Sequence, residues 1–234
     1  MVIKTNRRTA IQLGLLLISS MIFGVFSSVP ALERSDYFEQ LPNLEKHVLT
    51  AAFFQTAMAV AYVAITVLFY SLLKTYSERF VTGFVAFKLI GAGFLFLGIG
   101  FLPLLLEISQ SAVSATPVNA VIFEWNAEWL RQGRDFVNHI GMILPWSIGS
   151  LILYYCLYTT RRIPRWLAVW GMIGSICTVA ATLILLSDGI SITTSAYMLL
   201  NAPTAFGELI LALFLMIKGF NVDDKELRGA ANNA

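Results

Sequence analysis

The apolar residues of this chain fall into six long blocks separated by short polar stretches. The blocks cover about 9–29, 48–73, 81–105, 137–158, 166–186 and 196–217. Each matches or exceeds the roughly 20 residues a helix needs to cross a hydrocarbon layer of about 30 Å. The pattern predicts an all-α polytopic bundle of six transmembrane helices, forming one integral membrane domain over 1–234 with a flexible cytoplasmic tail at 222–234. The blocks fill most of the chain, so no separate soluble domain is expected.

Between the third and fourth blocks, Val118, Val121, Ile122, Trp125 and Trp129 fall on one helical stripe, with Glu124, Glu128 and Arg131 off it. This spacing predicts a short external helix near 118–131, and two tryptophans on its apolar side suit a helix lying in the membrane interface. A lid packed on the bundle fits the same spacing. Gly91, Gly93, Gly98 and Gly100 form two pairs seven apart in the third span, and the fifth carries Gly171, Gly174, Ser175 and Thr178. Small residues let helices approach closely where lipid supplies no hydrophobic drive. An exposed stripe of this kind would also suit a homo-oligomer or a membrane partner subunit. Pro145 and Pro203 predict kinks, tolerated where neighbouring helices satisfy the freed carbonyls.

Composition agrees with the pattern. Mean hydropathy is +0.73, and 13% of residues are charged, against about 25% in soluble domains. Charge adds orientation. The polar stretches on one side hold 11 basic residues and four acids, and those on the other hold four basic residues and nine acids. The positive-inside rule then predicts both termini in the cytoplasm, which requires an even number of spans. The net charge of +2 reflects this asymmetry and not a nucleic-acid footprint; the partner expected is the lipid bilayer. Lys4, Arg7 and Arg8 before an apolar run, with Val29-Pro30-Ala31 after it, also fit a signal peptide. That run is long for a signal core, proline just before a cut is unfavourable, and cleavage would leave five spans.

Little of the sequence speaks to chemistry. Cys156 and Cys177 lie in spans four and five and read as small packing residues. No G-x-S-x-G, P-loop, G-x-G-x-x-G or HExxH occurs, so neither cofactor nor metal is assigned. Asp135 and His139, four apart, form a candidate outer-face cluster at the mouth of span four.

The sharper candidate is a pair of charges inside the membrane. Lys88 lies eight residues past Phe80, and Glu208 lies ten before Lys218, which places them about 12 and 15 Å from the same face. Lys88 shares its helical face with Gly91, Leu95 and Gly98, and Glu208 with Asn201, Thr204, Ala205 and Ala212. An intramembrane charge costs roughly 2.5–3.5 kcal/mol on insertion scales and normally faces a partner or a cavity. The two either line a substrate or ion path, or form a structural pair that fixes helix register, with snorkelling of Lys88 a further option. Gln55, Asn138, Ser147 and Asn201 would extend a polar interior, or would each serve as an ordinary interhelical hydrogen bond worth about 0.6 kcal/mol.

Three strings carry a family resemblance: RRIPRWLAVWGMIG over 161–174, GELILALFLMIKGFN over 207–221, and Arg134-Asp135-Phe136 opening span four. Together they resemble the bacterial multi-pass family called domain of unknown function 4386. The resemblance implies a bacterial inner-membrane protein and supplies no activity. The family pattern has an arginine followed three residues later by a glutamate in span three, where this chain has Lys88 and Gly91. The resulting expectation is a non-enzymatic permease-like or regulatory membrane subunit. The alternative is an intramembrane enzyme acting on a lipid or lipid-linked substrate, with Glu208, Asp135 or His139 as acid or base.

Overall fold

The computed structural model describes residues 2–187 and 189–221, with side chains from residue 7 onward. Asp188, the side chain of Lys4 and the tail expected over 222–234 lie outside the described residues. In lipid no water satisfies a free backbone N–H or C=O, so the apolar blocks become helices. They are α1 (Val2–Phe26), α2 (Tyr37–Gln40), α3 (Glu45–Leu73), α4 (Glu78–Val113), α5 (Pro117–Asp135), α6 (Ile143–Thr159), α7 (Arg165–Leu186) and α8 (Ser195–Ile217). Six helical stretches are long and apolar enough to cross a membrane, one for each expected span. Hydroxyls inside them bond back to their own helices, as Thr66 does to Tyr62, Ser175 to Gly171 and Thr182 to Thr178.

The six long helices form a closed ring. α3 packs on α1 and α4, α6 on α4 and α7, and α8 on α7 and back on α1. Short connections place sequence neighbours side by side and antiparallel, so the first and last helices start and finish at one end. There the Arg7 guanidinium donates to the α8 carbonyls of Leu215, Met216 and Ile217 at 3.3, 2.8 and 3.1 Å. It thereby pairs last-turn carbonyls that an α-helix leaves without internal donors. A large apolar core, including Leu13, Phe69, Phe84, Leu157, Leu167 and Leu215, fills this terminal half of the ring.

The opposite end is built differently. The stretch between α1 and α3 is folded into α2 and two 3-10 turns, Pro30–Glu33 and Leu41–Leu44. It packs Leu32, Tyr37 and Leu41 against Leu102 and Leu105 of α4 and Ala127 of α5 in a second core. The helix expected near 118–131 exists but is longer than expected, and it is not separate. From Pro117 to Thr159 the chain is helical throughout, 43 residues, or about 65 Å at 1.5 Å per residue. α4, with 36 residues, runs antiparallel to it for about 54 Å. Both exceed a hydrocarbon thickness of about 30 Å, so α4 and α5 continue past the membrane spans as a helical hairpin. The apolar side of α5 is uncovered, with Trp125 and Trp129 at 70% and 73% exposure.

Between α5 and α6 the helix widens into a π segment, Phe136–Met142. Pro145 follows it, with no N–H to offer the carbonyl of Gly141, and the wider turn accommodates the missing bond. At the other predicted kink, the Pro203 carbonyl accepts the Trp170 indole N–H at 2.9 Å. The glycine pairs divide. Gly91 and Gly98 lie against the π segment and α6, whereas a Cβ at Gly93 or Gly100 would meet nothing within 4 Å. Cys156 and Cys177 are free.

Candidate functional site

Lys88 is 4% exposed, deep in the ring. Its stem lies across Gly149 of α6, where a Cβ would stand 3.1 Å from Lys88 Cγ. Its Nζ donates to Ser150 Oγ at 2.6 Å and sits 3.4 Å from the centroid of the Trp146 ring. That indole in turn stacks against Tyr62 of α3, with centroids 4.0 Å apart. A desolvated cation–π contact is worth about 2 kcal/mol, and a hydrogen bond to a charged group about 1.5–3 kcal/mol. These two contacts offset much of the cost of burying the ammonium. Glu208, half-buried on α8, makes no ion pair with Lys88 within 4.0 Å. The two instead line one enclosed cavity of about 20 Å³, together with Trp146, Ser150 and Tyr154. A polar cavity needs roughly 10–15 Å³ to hold a water molecule, so this one has room for a single bridging water.

Moving away from the terminal end, the helices open. Met58 precedes Tyr62 by one turn on α3, Met142 precedes Trp146 by one turn, and Leu95 follows Lys88 by two turns on α4. These three side chains help to line a vestibule of about 330 Å³. Its base is about 10 Å from Lys88, by the seven residues from Lys88 to Leu95 at 1.5 Å each. Gln55 Nε2 donates to Asn138 Oδ1 at 3.2 Å across its wall. These are two of the four residues expected in a polar interior, and the structure brings them together. Ser147 is buried on α6, while Asn201 donates to the Tyr197 carbonyl of its own helix at 2.8 Å.

Asp135 and His139 meet different partners. The π segment starts between them. Asp135 accepts from Arg131 at 3.3 Å and from Arg134 at 3.2 Å, whereas His139 Nδ1 meets the Tyr197 hydroxyl at 3.2 Å on the vestibule wall. Glu128 is held by Arg131 through two bonds of 2.9 and 2.7 Å and accepts from Tyr37 at 3.1 Å. Among the described residues no three His, Cys, Asp or Glu side chains are arranged to hold a metal ion.

Two charged groups on the vestibule escaped the sequence reading. Arg134 is 8% exposed, and its Nε, shut off from solvent, has no hydrogen-bond partner among the described residues. Glu33 stands at the rim with no direct ion pair among the described residues. Partial burial, and then the neighbouring Asp135 charge, raise its carboxyl above the ordinary value, against the opposing pull of Arg134 and Arg131. The signal available for Arg134 was its place one turn before Asn138 at the mouth of a span. Nothing local singled out Glu33.

A closed ring of six apolar helices, with a lysine, a serine and aromatic rings packed at its centre, defines a multi-pass helical membrane protein. The family described as Domain of unknown function (DUF4386) matches residues 13–219, and the chain belongs to it. No curated protein and no solved structure matches the chain. The two most distinctive strings, RRIPRWL and KGFN, meet in space. Asn221 donates its backbone N–H to the Arg162 carbonyl at 2.8 Å and its side-chain amide to the Arg161 carbonyl at 2.9 Å. Arg161 and Gly219 adopt positive φ, 52° and 79°, at the turns that make this contact, and Phe220 tucks into the core beside Phe69. These strings form a latch that ties the end of α8 to the α6–α7 turn.

Proposed function

We propose that this chain is a non-enzymatic, permease-like membrane protein that receives a small polar molecule in the vestibule above the Lys88 centre. The observation that carries the reading is the layering. A vestibule with polar groups on its wall ends on Met58, Leu95 and Met142, and the Tyr62–Trp146 stack lies one helical turn further in. The buried lysine lies about 10 Å from the base, and the terminal half beyond is closed by large apolar side chains. This is the arrangement of a carrier open to one side, or of a regulatory subunit that senses a ligand from that side. The basic asymmetry of 11 to four supports both termini in the cytoplasm of a bacterial inner membrane, with the vestibule facing outward. The enzyme reading has less support. Asp135 is tied to two arginines, His139 to a tyrosine, and Glu208 lies in a separate cavity from either.

The test uses single cysteines in a background with Cys156 and Cys177 replaced by alanine, reconstituted in vesicles. Met142→Cys in the vestibule should react with a charged thiol reagent from the α5 side only, and Ser150→Cys should resist reagent from both sides. Reaction of Ser150→Cys from both sides would replace the carrier with an open channel. Failure of Met142→Cys to react would remove the vestibule as a binding site.

A further inference from the structure

The charged groups around the vestibule are unevenly matched. Arg131 bonds Glu128 and Asp135, and Asp135 also takes one nitrogen of Arg134. That leaves one donor edge and one acid over. Among the described residues the Arg134 Nε, in a side chain more than nine-tenths buried, has no acceptor, and Glu33 at the rim forms no direct ion pair, the Arg134 and Arg131 charges acting on it only from a distance. Both residues line the same 330 Å³ space, although the Nε atom itself is shut off from solvent. A buried donor without a partner carries its full desolvation cost, so the site is incomplete as it stands. A guanidinium edge fits a carboxylate with two parallel hydrogen bonds.

Charge then narrows the ligand. An anion without a positive group would bond Arg134 but face Glu33 and Asp135, two like charges. A cation without a negative group would suit Glu33 and meet Arg134. The rest of the lining is mixed: Gln55, Asn138 and His139 are polar, and Met58, Leu95, Met142 and Met198 give it an apolar part. The volume lies near the lower end of the roughly 300–1,000 Å³ usual for small-molecule sites.

We infer that the vestibule binds a small zwitterion with an apolar body, of the aliphatic α-amino acid type, its carboxylate on Arg134 and its ammonium toward Glu33. This deepens the proposed function and rests on the vestibule being open to water. Thioether side chains suit such a body, because methionine is unbranched and adapts to irregular apolar shapes.

The experiment measures protection of Met142→Cys from the charged thiol reagent by three matched probes. L-leucine carries both charges, 4-methylpentanoate lacks the ammonium, and 3-methylbutylamine lacks the carboxylate. Leucine should protect at a concentration at least tenfold lower than either half-probe. Glu33→Gln, a change at the exposed rim that should fold normally, should remove most of leucine's advantage over 4-methylpentanoate. Arg134→Gln should abolish protection by leucine, and Arg134→Lys should restore part of it. Equal protection by a half-probe, or an advantage unchanged in Glu33→Gln, would overturn the zwitterion while leaving a small-molecule vestibule in place. Protection by none of the three at a reactive cysteine would also overturn it, the Nε then being served by water alone. An unreactive Met142→Cys would remove the vestibule reading itself, and the inference with it.

Discussion

The buried centre makes a quantitative prediction about Lys88 and Glu208. Replacing Lys88 with methionine keeps the length of the stem over Gly149 but removes the ammonium from Ser150 and from the Trp146 ring. It also leaves Glu208 as the one charge on the 20 Å³ cavity. The lost hydrogen bond to a charged group, about 1.5–3 kcal/mol, and the lost desolvated cation–π contact, about 2 kcal/mol, together should cost about 3–5 kcal/mol. Glu208→Gln is the milder change. Lys88 keeps its hydroxyl and its aromatic ring, so the expected loss is about 1–3 kcal/mol. In the double variant no charge is left behind. The two residues share a cavity without an ion pair, so their coupling should fall in the lower part of the usual range, about 1–2 kcal/mol. The assay is reversible unfolding in mixed detergent micelles, followed by circular dichroism, for all four corners of the cycle. A double variant more stable than the sum of the two losses implies, by about that coupling, supports a shared site. Additivity within about 0.5 kcal/mol would refute it. A larger loss for Glu208→Gln than for Lys88→Met would refute the role given to Ser150 and Trp146.

Three further outcomes are expected. Gly98→Ala places a methyl group on the Asn138 carboxamide and 3.1 Å from Gln55 Nε2. It should cost about 1–3 kcal/mol by overpacking, while Gly100→Ala, seated in open space, should be neutral or stabilise by up to about 1 kcal/mol in the same unfolding assay. Reporter fusions after Lys74, Arg162 and Lys225 should report cytoplasm and those after Glu39, Gln110 and Asp188 the exterior; a consistent inversion would place the vestibule on the cytoplasmic side. Spin labels at Trp125 and Trp129 distinguish two attitudes of the α4–α5 hairpin, because contact with lipid requires it to lean onto the membrane. Labels that sense only water would mean that the hairpin stands clear of the bilayer.

The sequence by itself determined that there are six membrane-length helices, though not how far α4 and α5 run beyond them, because in lipid a run of about 20 apolar residues has one way to satisfy its backbone. Short connections between successive runs likewise made sequence neighbours into packing neighbours. The stripe from Val118 to Trp129 announced a helix there, since local periodicity survives whatever the tertiary context. Depth was also legible: counting residues from the span ends placed Lys88 and Glu208 at one level, and both line one cavity.

What faces what was decided only by the tertiary structure. Periodicity fixes a face but not its partner, so Gly98 and Gly100 read alike although one abuts Asn138 and the other abuts nothing. Asp135 and His139 shared a face on an ideal helix. In the folded chain they meet different partners, Asp135 the neighbouring Arg131 and Arg134 and His139 the distant Tyr197 of α8. Serine at position 150 and tryptophan at 146 carried no local sign that an ammonium would rest between them. Arg134 and Glu33 lie a hundred residues apart, and only closure of the ring around the vestibule makes them two ends of one site.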